Sequence, residues 1–257
     1  MDVVPMSGRL HGKVIIVSGG SSGIGRAVAQ RVASEGAAVV VGARRREEGA
    51  EVAAGIEAAG GPAMFVAADA TVETEAAGLV TAAIAAFGRL DGAFNNAGGV
   101  QARGALSDID EADWRGDLEQ NLTSVFFGLK YQLAPMIDAG AGSIVNNASI
   151  AGTAGVPTMA PYVAAKHGVV GLTRAAALET ADRGVRVNAL VTGNVDTPLY
   201  RGLLGAAPDD PLTGRAPNPT GRVAQPEEIA GFVAFLLSDE AAFITGAALA
   251  IDGGATA

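Results

Sequence analysis

Short runs of apolar residues recur along the chain, at 14–18 (VIIVS), 38–42 (AVVVG), 63–67 (AMFVA), 92–95 (GAFN), 143–147 (SIVNN), 185–191 (VRVNALV) and 247–251. Most are apolar at successive positions rather than at alternate ones, as expected of strands buried on both faces. Ala- and Glu-rich stretches of helical length separate them. Strands alternating with helices in this way predict a parallel sheet covered on both sides, so the expected fold is α/β, doubly wound, with seven strands. No Pro- or Ser-rich linker divides the blocks, and one domain over 1–257 is expected. One segment breaks the rhythm: residues 196–225 are rich in Pro and Gly and lie between the sixth strand and the next helix. A loop of that length in a compact domain is expected to be a substrate lid, the plainer alternative being a surface insertion.

Composition narrows the function. Hydrophobic residues make up 49% of the chain, but the longest bland apolar run, 76–87, is shorter than the roughly 20 residues a membrane span needs. The N-terminal MDVVPMSGRLHGK has no basic segment followed by an apolar core, and there is no cysteine, so a cytoplasmic protein without disulfides is expected. A net charge of -9 repels a phosphate backbone and argues against nucleic acid as partner. His11 and His167 are the two histidines, too few and too far apart to suggest zinc, and no metal is expected. The dense basic cluster is RRR at 44–46.

Residues 18–25, SGGSSGIG, follow the first strand and open a helix, RAVAQRVASEG. Gly19, Gly23 and Gly25 permit a tight turn and a close approach of backbone to ligand. The helix N-terminus offers unpaired N–H groups and the positive end of its dipole. The loop, with Ser21, Ser22 and Ile24 inside it, is therefore expected to hold the pyrophosphate of a dinucleotide.

Tyr162 and Lys166 stand four residues apart in PYVAAKHG. On a helix such residues share a face with about 5–6 Å between Cβ atoms, and an ammonium near a phenol favours the phenolate, lowering a pKa that is ordinarily about 10. Taken alone, such a pair is more often two side chains that bury their stems and wet their tips. Ser149 adds weight, because it falls just past the fifth strand, on the edge where open α/β sheets bind ligands. Its hydroxyl there either caps a turn or holds a substrate oxygen while Tyr162 gives or takes the proton that hydride transfer requires. Asn121, read by itself, is a buried packing amide.

The Gly-x-x-x-Gly-x-Gly spacing, NNAG at 95–98, Ser149 and Tyr-x-x-x-Lys at 162–166 together resemble the short-chain dehydrogenase/reductase family along essentially the whole chain. Asp69 after the third strand, Asn121 within a helix and IDGG at 251–254 match further landmarks. The resemblance implies a Rossmann-type fold with Tyr162 as acid/base, and with Lys166 tuning it and contacting the nicotinamide ribose. It makes Ser149 the group that orients the carbonyl or alcohol, and Asn121 the holder of a water on the proton relay. It further implies cofactor contacts at Asp69, Asn96, Ala97, Gly98, Val195 and Thr197, and a homotetramer built through helices near 111–133 and 161–181. There are departures: Thr192 stands where the family usually has Pro, which is expected to loosen the loop carrying Val195 and Thr197, and Ser18 stands where it usually has Thr.

An NAD site of this kind needs an acid at the end of the second strand to hold the ribose hydroxyls. Here Ala43 occupies that place and Arg44 follows. A guanidinium grips a 2'-phosphate with paired N–H donors, and Ser21 or Ser22 can add a hydroxyl. The expected function is hydride transfer between NADP(H), in preference to NAD(H), and a carbonyl or secondary alcohol of a small or medium organic molecule. A non-redox dehydratase or isomerase and a nucleotide sensor are the alternatives.

Overall fold

The computed structural model describes residues 8–210, 212 and 218–257, and the seven strands form one parallel sheet in the order β3-β2-β1-β4-β5-β6-β7. The strands are β1 (Val14–Ser18), β2 (Ala38–Ala43), β3 (Ala63–Ala67), β4 (Gly92–Asn95), β5 (Gly142–Asn147), β6 (Val185–Thr192) and β7 (Ala248–Ile251). Their bounds differ from the sequence reading by at most one residue at an end. β1 pairs with β2 on one side and β4 on the other, so the chain winds outward from β1 in both directions. The reversal opens a crevice beyond the carboxyl ends of β1 and β4, which is where such sheets bind ligands.

Alternation along each strand feeds two cores. Ile15, Val17, Val39 and Val41 pack with residues of α1 (Gly23–Ser34) and α8 (Pro226–Leu237). Val14, Ile16 and Val40 pack on the other face with Leu79, Leu129 and Val169, which come from α3 (Glu73–Phe87), α5 (Ser124–Ala139) and α6 (Ala160–Thr180). Each such side chain contributes about 1.5–3 kcal/mol by leaving water. A strand that serves both cores cannot alternate apolar with polar, and the continuous apolar runs follow from that. α2 (Arg46–Ala58) covers the β2–β3 side, while α4 (Glu111–Leu118) passes through a π turn, Glu119–Thr123, into α5. Among the described residues no helix is long and apolar enough to cross a membrane.

The larger difference lies in 196–225, where a structureless loop was expected. Residues Pro198–Leu204 form a helix, α7. Thr197 caps it by accepting the Tyr200 N–H at 3.1 Å, and Gly205, in the left-handed conformation, ends it. Arg201 then knots the turn beyond, donating to the Asp196 carboxylate at 2.6 and 2.7 Å and to the carbonyls of Ala207 and Asp210 at 2.7 and 3.0 Å. Residues 211 and 213–217 of the expected lid lie outside the described residues.

Candidate active site

A cleft of about 490 Å³ runs along the carboxyl ends of the strands. Gly19, Ser21, Ser22, Gly23 and Ile24 line it from the loop after β1, Arg44 from the end of β2, Asp69 from beyond β3, and Asn96, Ala97 and Gly98 from beyond β4. Ser149, Tyr162, Lys166, Val195 and Thr197 complete the set of expected residues that face it. Gly25 and Asn121 stand just behind the wall. A Cβ at position 25 would lie 2.2 Å from the Gly19 carbonyl oxygen, so the loop closes on itself only with glycine there. A Cβ at position 23 would lie 2.9 Å from the Thr197 methyl, which shows how near the start of α7 comes to the glycine loop. Ser22 N-caps α1 without spending its side chain on the helix, which leaves the first-turn N–H groups for an anion. The Ser18 hydroxyl, retained from the usual Thr, accepts the Asn96 N–H at 3.1 Å and so ties the glycine loop to NNAG. A cradle this close to backbone, open at a helix N-terminus, fits a dinucleotide.

At the adenosine end the structure adds a residue that sequence reasoning passed over. Arg45 donates to the Ser21 hydroxyl at 3.0 Å and to the Ser22 hydroxyl, while Arg44 stands 3.7 Å from the Asp69 carboxylate. Asp69 is held below the usual carboxylate range: burial pushes it up, but the Thr71 N–H and hydroxyl and the Arg44 charge outweigh that. The membership of Arg45 in RRR was visible. Which guanidinium turns toward the serines was not.

At the catalytic end, Pro161 stands second in α6, in the first turn that also holds Tyr162, with Lys166 one turn on. Lys166 is 4% exposed, its Nζ donates to the Asn147 carbonyl at 2.8 Å, and it lies 5.5 Å from the centre of the Tyr162 ring. Burial lowers the ammonium to about 8. The phenol of Tyr162 goes the other way from expectation. Burial raises it above the ordinary tyrosine value, the Ser149 hydroxyl beside it opposes the rise, and the Asp117 carboxylate adds to it. In the protein alone, desolvation of the phenolate outweighs the hydrogen bond with Ser149. Ser149 is also the turn cap that the alternative reading suggested, accepting the Ala151 N–H at 3.2 Å. That bond occupies a lone pair and leaves the hydroxyl proton to point elsewhere.

Asn121, in the π turn, is fully buried and spends its amide on the cleft wall. Its Nδ2 donates to the Gly99 carbonyl at 2.8 Å and to the Asp117 carbonyl at 3.0 Å, and its Oδ1 accepts the Gly99 N–H at 3.0 Å. Asp117, which the sequence did not single out, is buried below it and accepts the N–H groups of Gln101 and Ala102. Behind the wall, Asn95 of NNAG joins β4 to β5 and α5 by donating to Asn146 Oδ1 at 2.9 Å and Gln132 Oε1 at 3.0 Å.

A family described as enoyl-(acyl carrier protein) reductase matches residues 19–256. The 2,5-dichloro-2,5-cyclohexadiene-1,4-diol dehydrogenase of Sphingobium indicum is 46% identical over 250 residues, covering 96% of this chain and 98% of that protein. The cis-4-hydroxycyclohexanecarboxylate dehydrogenase of Sinomonas cyclohexanicum is 46% identical over 246 residues, covering 95% of this chain and 97% of that protein. Among solved structures, levodione reductase superposes with a TM-score of 0.88 at 36% identity, over 95% of this chain and 97% of its own. With its motif residues on one cleft and its likeness running nearly end to end, this chain belongs to the short-chain dehydrogenase/reductase family and is an alcohol oxidoreductase that works with a nicotinamide cofactor.

Proposed function

We propose that the protein interconverts a secondary alcohol on a carbocyclic ring with its ketone, using NADP(H). The observation that carries this reading is the sharing of one cleft by Ser149, Tyr162 and Lys166 at one end and by the glycine loop with Arg44 and Arg45 at the other. When bound, the nicotinamide accepts or returns the hydride and, oxidised, brings a positive charge beside the phenol. In the oxidative direction Tyr162 works as the phenolate and takes the proton of the substrate hydroxyl, while the carbinol C–H bond breaks, its electron pair leaving with the hydride, and the C=O bond forms. Reduction runs the same transfers backwards. Ser149 donates to the substrate oxygen, and its bond from Ala151 fixes the hydroxyl in place. Lys166, anchored on the Asn147 carbonyl, keeps a cation beside the phenol at neutral pH, where an ammonium titrating at about 8 is still charged. Asn121 braces Gly99 beneath the reacting groups and takes its place on the relay through that position.

The preference for NADP(H) is supported by the absence of an acid at Ala43 and by the Arg45–Ser21–Ser22 group beside Arg44. The carbocyclic substrate is suggested by the relatives, two of which are named for ring alcohols. The same reading takes 196–225 as the lid and the protein as a homotetramer. Exposed Trp114, Phe126 and Leu178 on α4, α5 and α6 support assembly through those helices. The test is the change in NADPH and NADH absorbance with a panel of cyclic ketones and alcohols. No turnover with either cofactor would overturn the redox reading, and a higher kcat/KM with NADH would overturn the cofactor assignment alone.

A further inference from the structure

The segment leading from β4 to α4 passes the cleft and is fixed from both sides. Asp117 accepts the N–H groups of Gln101 and Ala102 at 3.1 and 3.0 Å, and the Gly104 N–H donates to the Thr158 carbonyl at 3.0 Å. Thr158 itself sits at φ 66°, a left-handed conformation that β-branched residues rarely adopt and that persists where the surroundings over-determine it. Between these anchors stands Arg103, which lines the cleft and donates from Nη1 to the Leu203 carbonyl of α7 at 3.1 Å. A guanidinium carries five N–H donors. Among the described residues this is its one hydrogen bond, and no carboxylate pairs with it.

The surroundings give that cation a meaning. Asp69 is the acid that lines the cleft, and it stands at the adenosine end beside Arg44. The apolar part of the same cleft lining includes Val100, Ile150, Val156, Met159 and Leu199. In a protein of net charge -9, a cation mounted on a braced backbone, facing an apolar chamber with no acid of its own, marks the charge that the ligand must bring.

Resting on the activity proposed above, we infer that Arg103 recognises a carboxylate on the substrate, so that the alcohols handled here are alicyclic hydroxy acids. The ring lies against the apolar wall with its carbinol at Ser149 and Tyr162, and the carboxylate meets the guanidinium fork. A carboxylate matches that planar fork as a monoanion. The ion pair is partly solvated, because Arg103 is exposed, and is therefore sensitive to salt.

The decisive measurement is the dissociation constant of cyclohexanecarboxylate, which has no alcohol to oxidise, for the NADP-loaded protein and its Arg103→Leu and Arg103→Lys variants. Loss of a charge-assisted hydrogen bond predicts roughly tenfold to hundredfold weaker binding in Arg103→Leu, with part of it restored by lysine. An unchanged constant overturns the inference. In parallel, kcat/KM for 4-hydroxycyclohexanecarboxylate is divided by that for 4-methylcyclohexanol. The ratio should fall in Arg103→Leu by a similar factor, chiefly through KM. If Arg103 merely latches α7, both substrates suffer alike, the ratio holds, and the inference fails while the oxidoreductase reading stands. If neither alcohol turns over but the acid still binds through Arg103, the activity is misassigned and the carboxylate site is real.

Discussion

Lys166 is a buried ammonium whose cost can be read from its own titration. An unfolded lysine titrates near 10.5, and in the folded protein burial brings Lys166 down to about 8. At about 1.36 kcal/mol for each pH unit, the gap is of order 3 kcal/mol charged against the folded state. Below pH 8 both states hold the proton and the full cost is present. Between 8 and 10.5 the unfolded chain binds a proton that the folded chain has released, so stability rises with pH. From pH 7 to 9.5 the recovery amounts to about 2 kcal/mol. Lys166→Met keeps an unbranched side chain and removes the titration. The assay is urea unfolding at 25 °C, at one fixed protein concentration because assembly shifts apparent stability. The stability of the wild type minus that of the variant should climb by about 2 kcal/mol over that range, since the other groups contribute to both proteins. Readings stop at pH 9.5 because the raised phenol of Tyr162 would push stability the opposite way at higher pH. A flat difference curve would refute the account of Lys166 as an ammonium held down by burial.

Tyr162→Phe should fold and bind NADPH, as followed by cofactor fluorescence, yet lose roughly 10²–10⁴-fold in kcat, the range for acid–base catalysis. A variant keeping more than half of the wild-type rate would sink the mechanism, and Ser149→Ala should fall between the two. Arg45→Ala should lower kcat/KM for NADPH about tenfold, the worth of a charge-assisted bond, and leave NADH little changed. Arg44→Asp should weaken NADPH far more than NADH, and equal losses for both cofactors in either variant would count against a 2'-phosphate there. Gly25→Ala forces a Cβ to within 2.2 Å of the Gly19 carbonyl, so cofactor affinity should collapse, and titration showing an unchanged dissociation constant would contradict the cradle geometry.

The strands were legible because each serves two cores, and consecutive burial leaves the same mark wherever it occurs. α7 was hidden by its composition. Its seven residues span fewer than two turns, too few for a hydrophobic period to show, and Pro and Gly read as loop. Yet Thr197–Pro198 at its start and Gly205 at its end are capping signals that lay in the sequence. The Arg201 knot was beyond reach, because two of its acceptors are backbone carbonyls that only the folded turn brings round. Much the same applies in the site. Tyr162, Lys166 and Ser149 were found through chemistry and spacing, but the raised phenol depends on burial, which no local pattern encodes. Asp117 carries no motif, and became visible only once its two N–H donors from the β4–α4 segment were in place.

Thr192 shows most clearly how a local departure acquires its meaning from topology. Losing the usual Pro suggested a slacker loop. In the structure the Thr192 hydroxyl donates to Asn147 Oδ1 at 2.7 Å, Asn147 Nδ2 donates to Asn96 Oδ1 at 2.9 Å, and Asn96 Nδ2 donates to the Gly19 carbonyl at 3.2 Å. Every donor in this chain meets an acceptor, and each link strengthens the next. A proline at 192 would carry no hydroxyl and would leave Asn147 Oδ1 without this donor. The threonine thus exchanges a stiff ring for a directed tether that crosses the ends of β6, β5, β4 and β1. Past it, Val195 bridges to Ala224, so the residues expected at the nicotinamide are held from both sides. Asn147 also gives its backbone carbonyl to Lys166, which couples the catalytic cation to the same tether. Gly19, Asn96, Asn147 and Thr192 are scattered through the sequence and meet because β1, β4, β5 and β6 are neighbours in the sheet. The strand order that opens the crevice is therefore also what lets four side chains and backbone groups brace it.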